Sequence, residues 1–499
     1  MIIKTDQAVI ENYLRDASYM RAGHADRLVF PENVEEVVAV LADASRSRIA
    51  VTVSGAGTGT VGGRVANGGI ILATDKLNRI KSITRNSDGG GIAVAEAGVV
   101  LSDLQRAVDS EGLLYAPDPT ERGCFLGGTI ATNASGARSF KYGPTRKYVQ
   151  AAKVALSTGD VLDLQRGQFR ADVDRAVEIP LISGRVINAT LPTYDMPRTR
   201  KNATGYFASD SMDLLDLFIG SEGTLGVVVE AELTLLPKPE ALLSAVVFFT
   251  NEENVLSFVG DVRTRSLMNR SRAAAGVDAR ALEYFDHESL NFLRQKYPTV
   301  PEVASAAVFF EQETTTETED SLMGAWLSLL EQHHALSESW FATNEQDQAQ
   351  LREFRHQLPV LMNEWFARYG QKKVSTDMAV PDEAFAGMLA LYREALRSSD
   401  LRYTIFGHIG DNHIHVNILP RDDKEAARAR ELYIQFLKYA ASVGGTLSAE
   451  HGVGKLKREY LKLFYSEEHL REMAALKLAF DPAGILGRGN IFSESLLSE

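Results

Sequence analysis

Cysteine is nearly absent from this chain: a single thiol, Cys124, occurs among 499 residues. One thiol excludes an intramolecular disulfide and an iron–sulfur cluster ligated only by cysteines of this chain. Because Cys124 precedes the apolar pair Phe125 and Leu126, we expect it to be a small buried residue.

Positive charge is also in short supply. Lys and Arg number 53 against 66 Asp and Glu, which gives a net charge of −13 and a pI near 5.4. This balance argues against binding to nucleic acid or to an anionic membrane surface. The chain has no run of about eighteen apolar residues. Its start, MIIKTDQAVIENYLRD, lacks the features of a signal peptide and is too acidic for a transit peptide. We expect a cytoplasmic protein without a transmembrane segment; attachment to the periphery of the inner membrane stays open.

The length of the chain predicts two or three domains, and its 45% apolar content allows large cores. Up to residue 237, short β-type runs alternate with amphipathic helical patterns, which is typical of an α/β or α+β domain. The sequence Leu-Leu-Pro-Lys-Pro at 235–239 ends the last of these strands and predicts a domain boundary.

Residues 404–420, TIFGHIGDNHIHVNILP, carry the strongest chemical signal. Apolar and polar side chains alternate there, which predicts a β-hairpin with one face exposed to water. If Gly410 and Asp411 form the turn, His408 pairs with His413, and His415 is a diagonal neighbour on the same face. Diagonal neighbours lie roughly 7–8 Å apart, close enough for two imidazoles to bind one ion.

A second short sequence, Ser448-Ala449-Glu450-His451-Gly452, adds candidate ligands. Neighbouring residues of an extended segment point to opposite sides, so Glu450 can bind an ion while His451 faces elsewhere. Neutral imidazoles with a carboxylate suit Zn, Mn or Fe(II), and the pattern alone does not choose among these metals. A single histidine near a turn is usually a surface or hydrogen-bonded residue, so the predicted metal site depends on several histidines converging.

Three glycine-rich clusters mark the first half of the chain. The first, VTVSGAGTGTVGG at 51–63, follows a strand, and its amide groups can form a nest for phosphate oxygens. It is neither a Walker loop nor a GxGxxG that opens a helix. The second occupies 116–142, and the third is IGSEGTLGV at 219–227. A glycine-rich turn is usually only a turn, but a loop as long as the second indicates a ligand lying along it. Together the clusters predict a ligand site.

Taken in order, residues 55–60, 117–136, 220–226, 407–415 and 450–452 resemble the FAD-dependent D-2-hydroxyacid dehydrogenases. That family includes D-lactate and D-2-hydroxyglutarate dehydrogenases and the flavin subunit of glycolate oxidase, within the vanillyl-alcohol-oxidase superfamily. Each motif is weak alone, but five in order are specific.

The resemblance implies an α+β fold. A PCMH-type FAD-binding domain of two α/β subdomains would occupy 1–237. An antiparallel-sheet substrate domain with the metal site would follow at 238–455. A C-terminal helical segment, 456–499, would pack back on the FAD domain.

The resemblance also implies a bound FAD, and no histidine lies in the first cluster to attach it covalently. The residues expected to line the FAD are Ser54, Gly55, Ala56, Gly57, Thr58, Gly59, Thr60, Pro117, Asp118, Pro119, Thr120, Gly127, Gly128, Ile130, Asn133, Ala134, Gly136, Glu222, Gly223 and Val228.

In the second half of the chain, His408, His415 and Glu450 match the family's metal ligands, and His451 matches its general base. Such a base removes the hydroxyl proton while a hydride passes to the flavin.

Two further residues match substrate contacts of the family. Asn417 would lie near the substrate, and Arg355 would bind its carboxylate, for which a bidentate guanidinium is suited. Lys201 and either Lys372 or Lys373 are weaker candidates for a second anionic group, and a plain surface role suits these lysines equally well.

The chain departs from the family pattern in two places. Asn412 and His413 replace a Gly and an Asn, and Asn tolerates the left-handed conformation of a turn. His413 would be either a hydrogen-bond donor behind the metal ligands or a substrate contact. The tail motif Asn-Pro-Gly-Lys appears as Gly-Arg-Gly-Asn at 487–490, which leaves its contact with the flavin open.

The partners implied are a small 2-hydroxyacid and an electron acceptor, which is a quinone, an electron-transfer flavoprotein or a cytochrome; a homodimer stays open.

Three rival functions compete with that of a D-2-hydroxyacid dehydrogenase. They are a related flavin synthase of ether-lipid precursors, an electron-relay flavin subunit, and a flavin-free metallohydrolase. The hydrolase leaves the glycine clusters unexplained, and a relay subunit has no need of the histidines.

Overall fold

The computed structural model describes residues 1–497. Its strands, in chain order, are β1 Ile2–Lys4, β2 Arg27–Phe30, β3 Val51–Ser54, β4 Ile70–Ala73, β5 Ile80–Arg85, β6 Gly91–Glu96, β7 Leu113–Leu114, β8 Val149–Ala155, β9 Val161–Gln165, β10 Ala176–Pro180, β11 Val186–Thr190, β12 Val227–Pro237, β13 Ala241–Phe249, β14 Ala279–Phe285, β15 Ala306–Thr314, β16 Trp340–Ala342, β17 Val374–Ser375, β18 Tyr403–His408 and β19 His413–Ile418. Its α-helices are α1 Gln7–Ile10, α2 Val34–Ser47, α3 Leu101–Ser110, α4 Leu126–Ala131, α5 Ser139–Tyr142, α6 Leu215–Phe218, α7 Glu252–Arg272, α8 His287–Arg294, α9 Glu319–Gln332, α10 Glu345–Tyr369, α11 Phe385–Arg397, α12 Asp423–Ser442 and α13 Glu467–Phe480. This mixture confirms the α+β class.

The first sheet joins four strands in the order β1-β2-β4-β3. β2, β4 and β3 are parallel, and β1 pairs antiparallel with β2. The side chain of Asn33 caps α2 by accepting from Glu36 N, and Val37 and Leu41 of that helix are buried in the core beside this sheet. The first glycine cluster leaves the sheet after β3, at the carboxyl end of a parallel strand, where such sheets usually bind ligands.

The second sheet is antiparallel, in the order β5-β6-β12-β8-β9, with β7 paired to the end of β12. It anchors the second glycine cluster, because Leu126 N and Gly127 N donate to Val99 O and Ala97 O at 2.9 and 2.7 Å. The third cluster runs directly into its central strand, β12. The two sheets correspond to the two subdomains expected of the PCMH-type fold.

The third sheet has seven antiparallel strands in the order β16-β13-β15-β14-β18-β19-β17. An apolar cluster that includes Phe248, Phe285 and Phe309 fills the space between one face and helices α8 and α10. Thr404 Oγ1 lies 3.3 Å from Met362 Sδ, so α10 also reaches β18 on this face.

Strand register brings the candidate site residues to this same face. His408 pairs with His413, as expected, and Phe406 pairs with His415. Alternate residues of a strand share a face, so all three histidines project together. Glu283 of β14 projects beside His408, where their side chains are hydrogen-bonded.

The hairpin differs from the prediction in two respects. Its loop is a 3₁₀ turn, Ile409–Asp411, followed by Asn412 in the left-handed conformation (φ 53°). Every residue of β19 is buried, so the predicted wet face was wrong. Alternation in a sequence identifies two faces of a strand, but it does not show what covers each face.

The C-terminal segment returns to the first sheet. Phe480 of α13 packs edge-on against Phe218 at 5.5 Å. Val51 N donates to Ile485 O at 2.8 Å, and Gly487 N donates to Val51 O at 2.9 Å. Residues 485–487 therefore extend this sheet beside β3. Across residues 1–497, no helix is both long enough and apolar enough to cross a membrane.

Candidate active site

The three glycine-rich clusters are in direct contact with one another. A Cβ on Gly55 of the first cluster would lie 3.9 Å from Phe125 in the second. Glu222 N of the third cluster donates to Ala131 O of the second at 2.8 Å. The clusters therefore form one continuous glycine-rich surface, as a single extended ligand requires.

Arg64 lies directly beneath the first cluster. Its Nη1 donates to Gly55 O at 3.0 Å and to Ser54 Oγ at 3.2 Å, and its Nε donates to Arg15 O at 2.7 Å. A Cβ on Gly57, whose φ is +82°, would lie 2.4 Å from the guanidinium carbon, so an alanine there would strain the backbone and displace the end of the Arg64 side chain. A positive charge below a glycine-rich turn suits a diphosphate group.

The second cluster is folded tightly on itself at two points. A Cβ on Gly136 would lie 2.0 Å from Asp118 O, and one on Gly127 would lie 2.7 Å from Ala97 Cβ, so both positions require glycine. Gly128 is exposed, and a Cβ there would have nothing within 4 Å. The backbone of α4 is thus open to close approach by a flat ring.

The tail at 487–490 reaches this surface. Asn490 Nδ2 donates to Gly63 O at 2.9 Å and lies 3.5 Å from Glu222 O, so it bridges the first and third clusters. The Glu222 carboxyl accepts from Val453 N at 2.6 Å and from the next amide at 2.7 Å. Burial raises the pKa of Glu222 to about 7. This side chain therefore joins the third cluster to the segment that follows His451.

The residues expected to line the FAD divide by exposure. Asn133 is buried, and its amide group donates to Asn202 O at 3.1 Å and accepts from Arg146 N at 2.9 Å, so this side chain holds the loop in shape. The other buried members are Ser54, Pro117, Ile130 and Gly136. The exposed or half-buried members are Gly55, Ala56, Gly57, Thr58, Gly59, Thr60, Asp118, Pro119, Thr120, Gly127, Gly128, Ala134, Glu222, Gly223 and Val228.

The three expected metal ligands are brought together. His408, His415 and Glu450, joined by His413, place ligand atoms within 4.8 Å of one another. Glu450 Oε1 lies 3.3 Å from His408 Nε2 and 3.4 Å from His415 Nε2. Ligand atoms about 2.0–2.1 Å from a tetrahedral ion lie roughly 3.3 Å apart, so these atoms fit around one divalent ion.

Two of these histidines are oriented through their other nitrogen. His408 Nδ1 lies 2.6 Å from Glu283 Oε1, and His415 Nδ1 lies 2.8 Å from Thr376 O. Such partners are usual for metal-binding histidines because they fix the tautomer and the ring plane. Burial opposes ionisation of Glu283, yet Arg355 and His408 lower its pKa to about 2.

His413 is completely buried between two carboxylates. Its Nε2 lies 3.2 Å from Asp377 Oδ1, and its Nδ1 lies 3.9 Å from Glu450 Oε2. Burial and the neighbouring His415 lower the pKa of His413 to about 3, so this imidazole is neutral near pH 7. The position fits a donor behind the site, which is the first of the two roles considered for this residue.

His451 is the most accessible histidine of the site, with 33% of its side chain exposed. Its Nδ1 lies 3.3 Å from Asp377 Oδ2. The same oxygen accepts from Ser448 Oγ at 2.5 Å and from Lys457 Nζ at 2.6 Å. Burial opposes ionisation, but His451 and Lys457 hold the pKa of Asp377 well below its usual range. A carboxylate behind Nδ1 leaves Nε2 as the basic nitrogen of His451.

We call His408, His413, His415 and Glu450 the metal-type group. Lys201 and Ser135 connect this group to the glycine clusters. The Lys201 side chain is fully buried, and its Nζ lies 2.9 Å from Gly136 O and 3.2 Å from Glu450 Oε2. Ser135 Oγ donates to the same Glu450 oxygen at 3.1 Å. The second glycine cluster and the metal-type group thus form two sides of one site.

Arg355 borders the site, because its Nε donates to Glu283 Oε2 at 2.9 Å. Asn417 is buried on the same strand as His415, and its Nδ2 has no hydrogen-bond partner among residues 1–497. Lys372 and Lys373 are exposed, in contrast to the buried Lys201. Of the three candidate lysines, only Lys201 contacts the metal-type group.

Sequence reasoning missed Glu283 and Asp377. Each is a lone carboxylate in a short apolar stretch, ARALEYF and STDMAVP, and that isolation is the only local signal. A buried acidic residue needs a cationic or hydrogen-bonded partner. The sequence does not reveal that the partners are His408 and His451, which lie far along the chain.

Family models place this site in a known group of proteins. "FAD linked oxidases, C-terminal domain" matches residues 238–491, and "FAD binding domain" matches residues 25–165. The chain belongs to the FAD-linked oxidases, which are PCMH-type flavoproteins, and the recognition made from the motifs is confirmed.

Curated relatives match over nearly the whole chain. Glycolate oxidase subunit GlcD of Bacillus subtilis is 30% identical over 97% of this chain and 92% of its own. D-lactate dehydrogenase of Anaerostipes hadrus is 30% identical over 93% and 89%. D-2-hydroxyglutarate dehydrogenase of Stutzerimonas stutzeri is 28% identical over 98% and 96%. Among solved structures, an alkyldihydroxyacetonephosphate synthase shares the fold, with a TM-score of 0.68, 15% identity, and coverage of 97% and 81% of the two chains.

Proposed function

We propose that this protein is an FAD-dependent dehydrogenase that oxidises a D-2-hydroxyacid to the 2-oxoacid. The observation that carries the proposal is the contact between the two sides of the site. Ser135 binds Glu450 directly, and Lys201 links Gly136 to the same carboxylate. A substrate held at the metal-type group would therefore lie against the surface expected to hold the flavin. Glycolate, D-lactate and D-2-hydroxyglutarate, named in the relatives above, are all 2-hydroxyacids.

In this proposal each side chain has a separate task. His408, His415 and Glu450 would hold a divalent ion, and the glycine clusters would hold FAD. When bound, the ion supplies charge that lowers the pKa of the hydroxyl group, and FAD supplies the hydride acceptor. Arg355 would bind the substrate carboxylate.

His451 is the proton acceptor in this scheme. Asp377 beside Nδ1 fixes the tautomer in which Nε2 carries the free lone pair. The partial exposure of the His451 side chain gives the substrate access that the other histidines lack. Asn417, with its unpaired buried amide, would contact the substrate from the floor of the site.

The test is flavin reduction under anaerobic conditions. We expect purified protein to show a flavin spectrum that bleaches when a D-2-hydroxyacid is added. A relay subunit or a synthase of ether-lipid precursors would keep its oxidised spectrum. Failure of D-lactate, D-2-hydroxyglutarate, glycolate and longer D-2-hydroxyacids to reduce the flavin would overturn the proposal.

Two substitutions separate the tasks. His451→Ala should keep FAD but lose reduction by substrate, whereas His408→Ala should lose the bound metal. His287→Ala, on an exposed position of α8, is the matched control and should retain metal and turnover. Full metal content and turnover in His408→Ala would contradict the ligand assignment.

A further inference from the structure

Four arginines meet where the second glycine cluster faces the seven-stranded sheet, and two carboxylates link them. Asp118 lies 2.8 Å from Arg122 Nη2 and 3.3 Å from Arg138 Nη1. Glu311 contacts Arg138 Nε at 3.2 Å, Arg280 Nε at 3.3 Å and Arg352 Nη1 at 4.0 Å. We call Arg122, Arg138, Arg280 and Arg352 the arginine cluster.

The arginine cluster carries an excess of positive charge. Four guanidinium groups share two carboxylates, Asp118 and Glu311. The adjoining ion pairs, in which Lys141 and Arg270 face Glu313 and Asp278, add equal numbers of each sign and leave the excess unchanged.

The excess falls on Arg122 and Arg352, because Asp118 and Glu311 balance the more buried Arg138 and Arg280. The Arg280 side chain is 4% exposed, and its Nε has no hydrogen-bond partner in the described part of the chain. Arg352 is held only loosely, because its closest approach to Glu311 is 4.0 Å. Burial, together with Arg138 and Arg122, lowers the pKa of Arg352. This excess positive charge borders the buried part of the cluster, where an anionic ligand would pair with it.

The location connects this cluster to the proposed substrate site. Arg352 and Arg355 lie three residues apart on α10, so their side chains project from one face, about 5–6 Å apart at Cβ. Asp118 belongs to the segment whose backbone touches Gly136. The arginine cluster therefore lies one helical turn from the expected carboxylate contact and beside the expected flavin surface.

We propose that the arginine cluster binds the second carboxylate of the substrate, so that this enzyme prefers D-2-hydroxydicarboxylic acids, such as D-2-hydroxyglutarate, over D-lactate or glycolate. This inference rests on the proposed function. Arg355 would bind one carboxylate, and Arg352 of α10 together with Arg122 of the second glycine cluster would bind the other. Arg122 and Arg352 are the more exposed members, with side chains 43% and 30% accessible, so an entering anion reaches them first.

The test compares matched substrates in Arg352→Gln and Arg122→Gln. We expect the ratio of kcat/KM for D-2-hydroxyglutarate to that for D-2-hydroxybutyrate to fall about tenfold or more in each, because a charge-assisted hydrogen bond to the distal carboxylate is lost. Arg368→Gln, at an exposed position near the end of the same helix, is the control and should keep the wild-type ratio.

A binding measurement removes the dependence on turnover. Calorimetry with 2-oxoglutarate and 2-oxobutyrate, which differ by one carboxylate, should show the same tenfold loss of preference in Arg352→Gln. An unchanged preference in both variants would overturn this inference while leaving the dehydrogenase proposal standing. An equal loss for both ligands would also overturn it, and would assign the arginines to the flavin or to the first carboxylate. No flavin reduction by any hydroxyacid would instead refute the proposed function.

Discussion

Replacing Asp377 with asparagine tests how the proposed base is held. Asp377 Oδ2 faces His451 Nδ1 at 3.3 Å, and its other oxygen faces His413 at 3.2 Å. Asparagine keeps the shape of the side chain but removes its charge. We expect His451 to lose the partner that fixes its tautomer and ring orientation, while the three metal ligands and Arg355 keep their own partners.

The magnitude follows from the contacts. A positioned general base contributes about 10²–10⁴-fold to the rate, and a misoriented imidazole loses most of that, so kcat should fall about 100-fold or more. KM should change by much less than kcat, because Arg355 and the side chains of His408, His415 and Glu450 do not depend on Asp377 for their hydrogen bonds.

Stability should fall for a separate reason. Lys457 Nζ lies 2.6 Å from the Asp377 carboxylate, and both side chains are buried. Removing one partner of a buried pair costs about 3–5 kcal/mol. For a domain of the length expected for the substrate domain, 238–455, even a loss of about 3 kcal/mol lowers the apparent Tm by roughly 6–12 °C.

A double variant distinguishes the two effects. Lys457→Met added to Asp377→Asn removes the unpaired ammonium, so the apparent Tm should recover while kcat stays low. The measurements are stopped-flow flavin reduction and thermal unfolding followed by flavin fluorescence. If Asp377→Asn turns over within threefold of the wild type, or if the double variant restores kcat and Tm together, Asp377 does not position His451.

Two further predictions concern the glycine clusters. Gly57→Ala places a Cβ against Arg64 at a positive φ and should weaken FAD binding at least tenfold in fluorescence titration. Gly167→Ala is the control: its φ is +86° and nothing lies within 4 Å of the added Cβ, so it carries the same backbone strain and should leave FAD binding unchanged. Glu222 has its pKa raised to about 7 in the folded protein, so its contribution to stability is complete below its unfolded pKa of about 4.3 and is lost as pH rises through 7. Between pH 5 and pH 8 the apo-protein should therefore lose about 1–3 kcal/mol relative to Glu222→Gln; parallel pH profiles of the unfolding midpoint in the two proteins would contradict this.

That His408, His415 and Glu450 lie close together could be predicted from local pattern, and the orientation of their side chains could not. His408 and His415 occupy a strand pair whose alternation and turn residues are readable, and Glu450 lies in a short motif beside His451. The residues that hold them come from elsewhere, as Glu283 does for His408. Such pairs depend on strand order in the third sheet, which joins β14 to β18 across more than a hundred residues, and local periodicity carries no information about that order. The prediction that one face of the hairpin is exposed to water was wrong for the same reason, because the residues that cover this face come from distant parts of the chain.

Lys201 explains why this site should favour anionic substrates. Its ammonium is fully buried and lies 3.2 Å from Glu450 and 3.6 Å from Asp411, so it offsets part of the negative charge of the one carboxylate among the expected metal ligands. The other expected ligands, His408 and His415, bind an ion only as neutral imidazoles. A divalent ion held there would therefore keep more of its positive charge than one bound beside an unpaired carboxylate. Such a site attracts a carboxylate and stabilises negative charge that develops on a neighbouring hydroxyl group, because buried charges are poorly screened. A neutral residue at position 201 would leave Glu450 to offset more of that charge, so Lys201 would support the proposed oxidation of a 2-hydroxyacid without being a ligand of the ion.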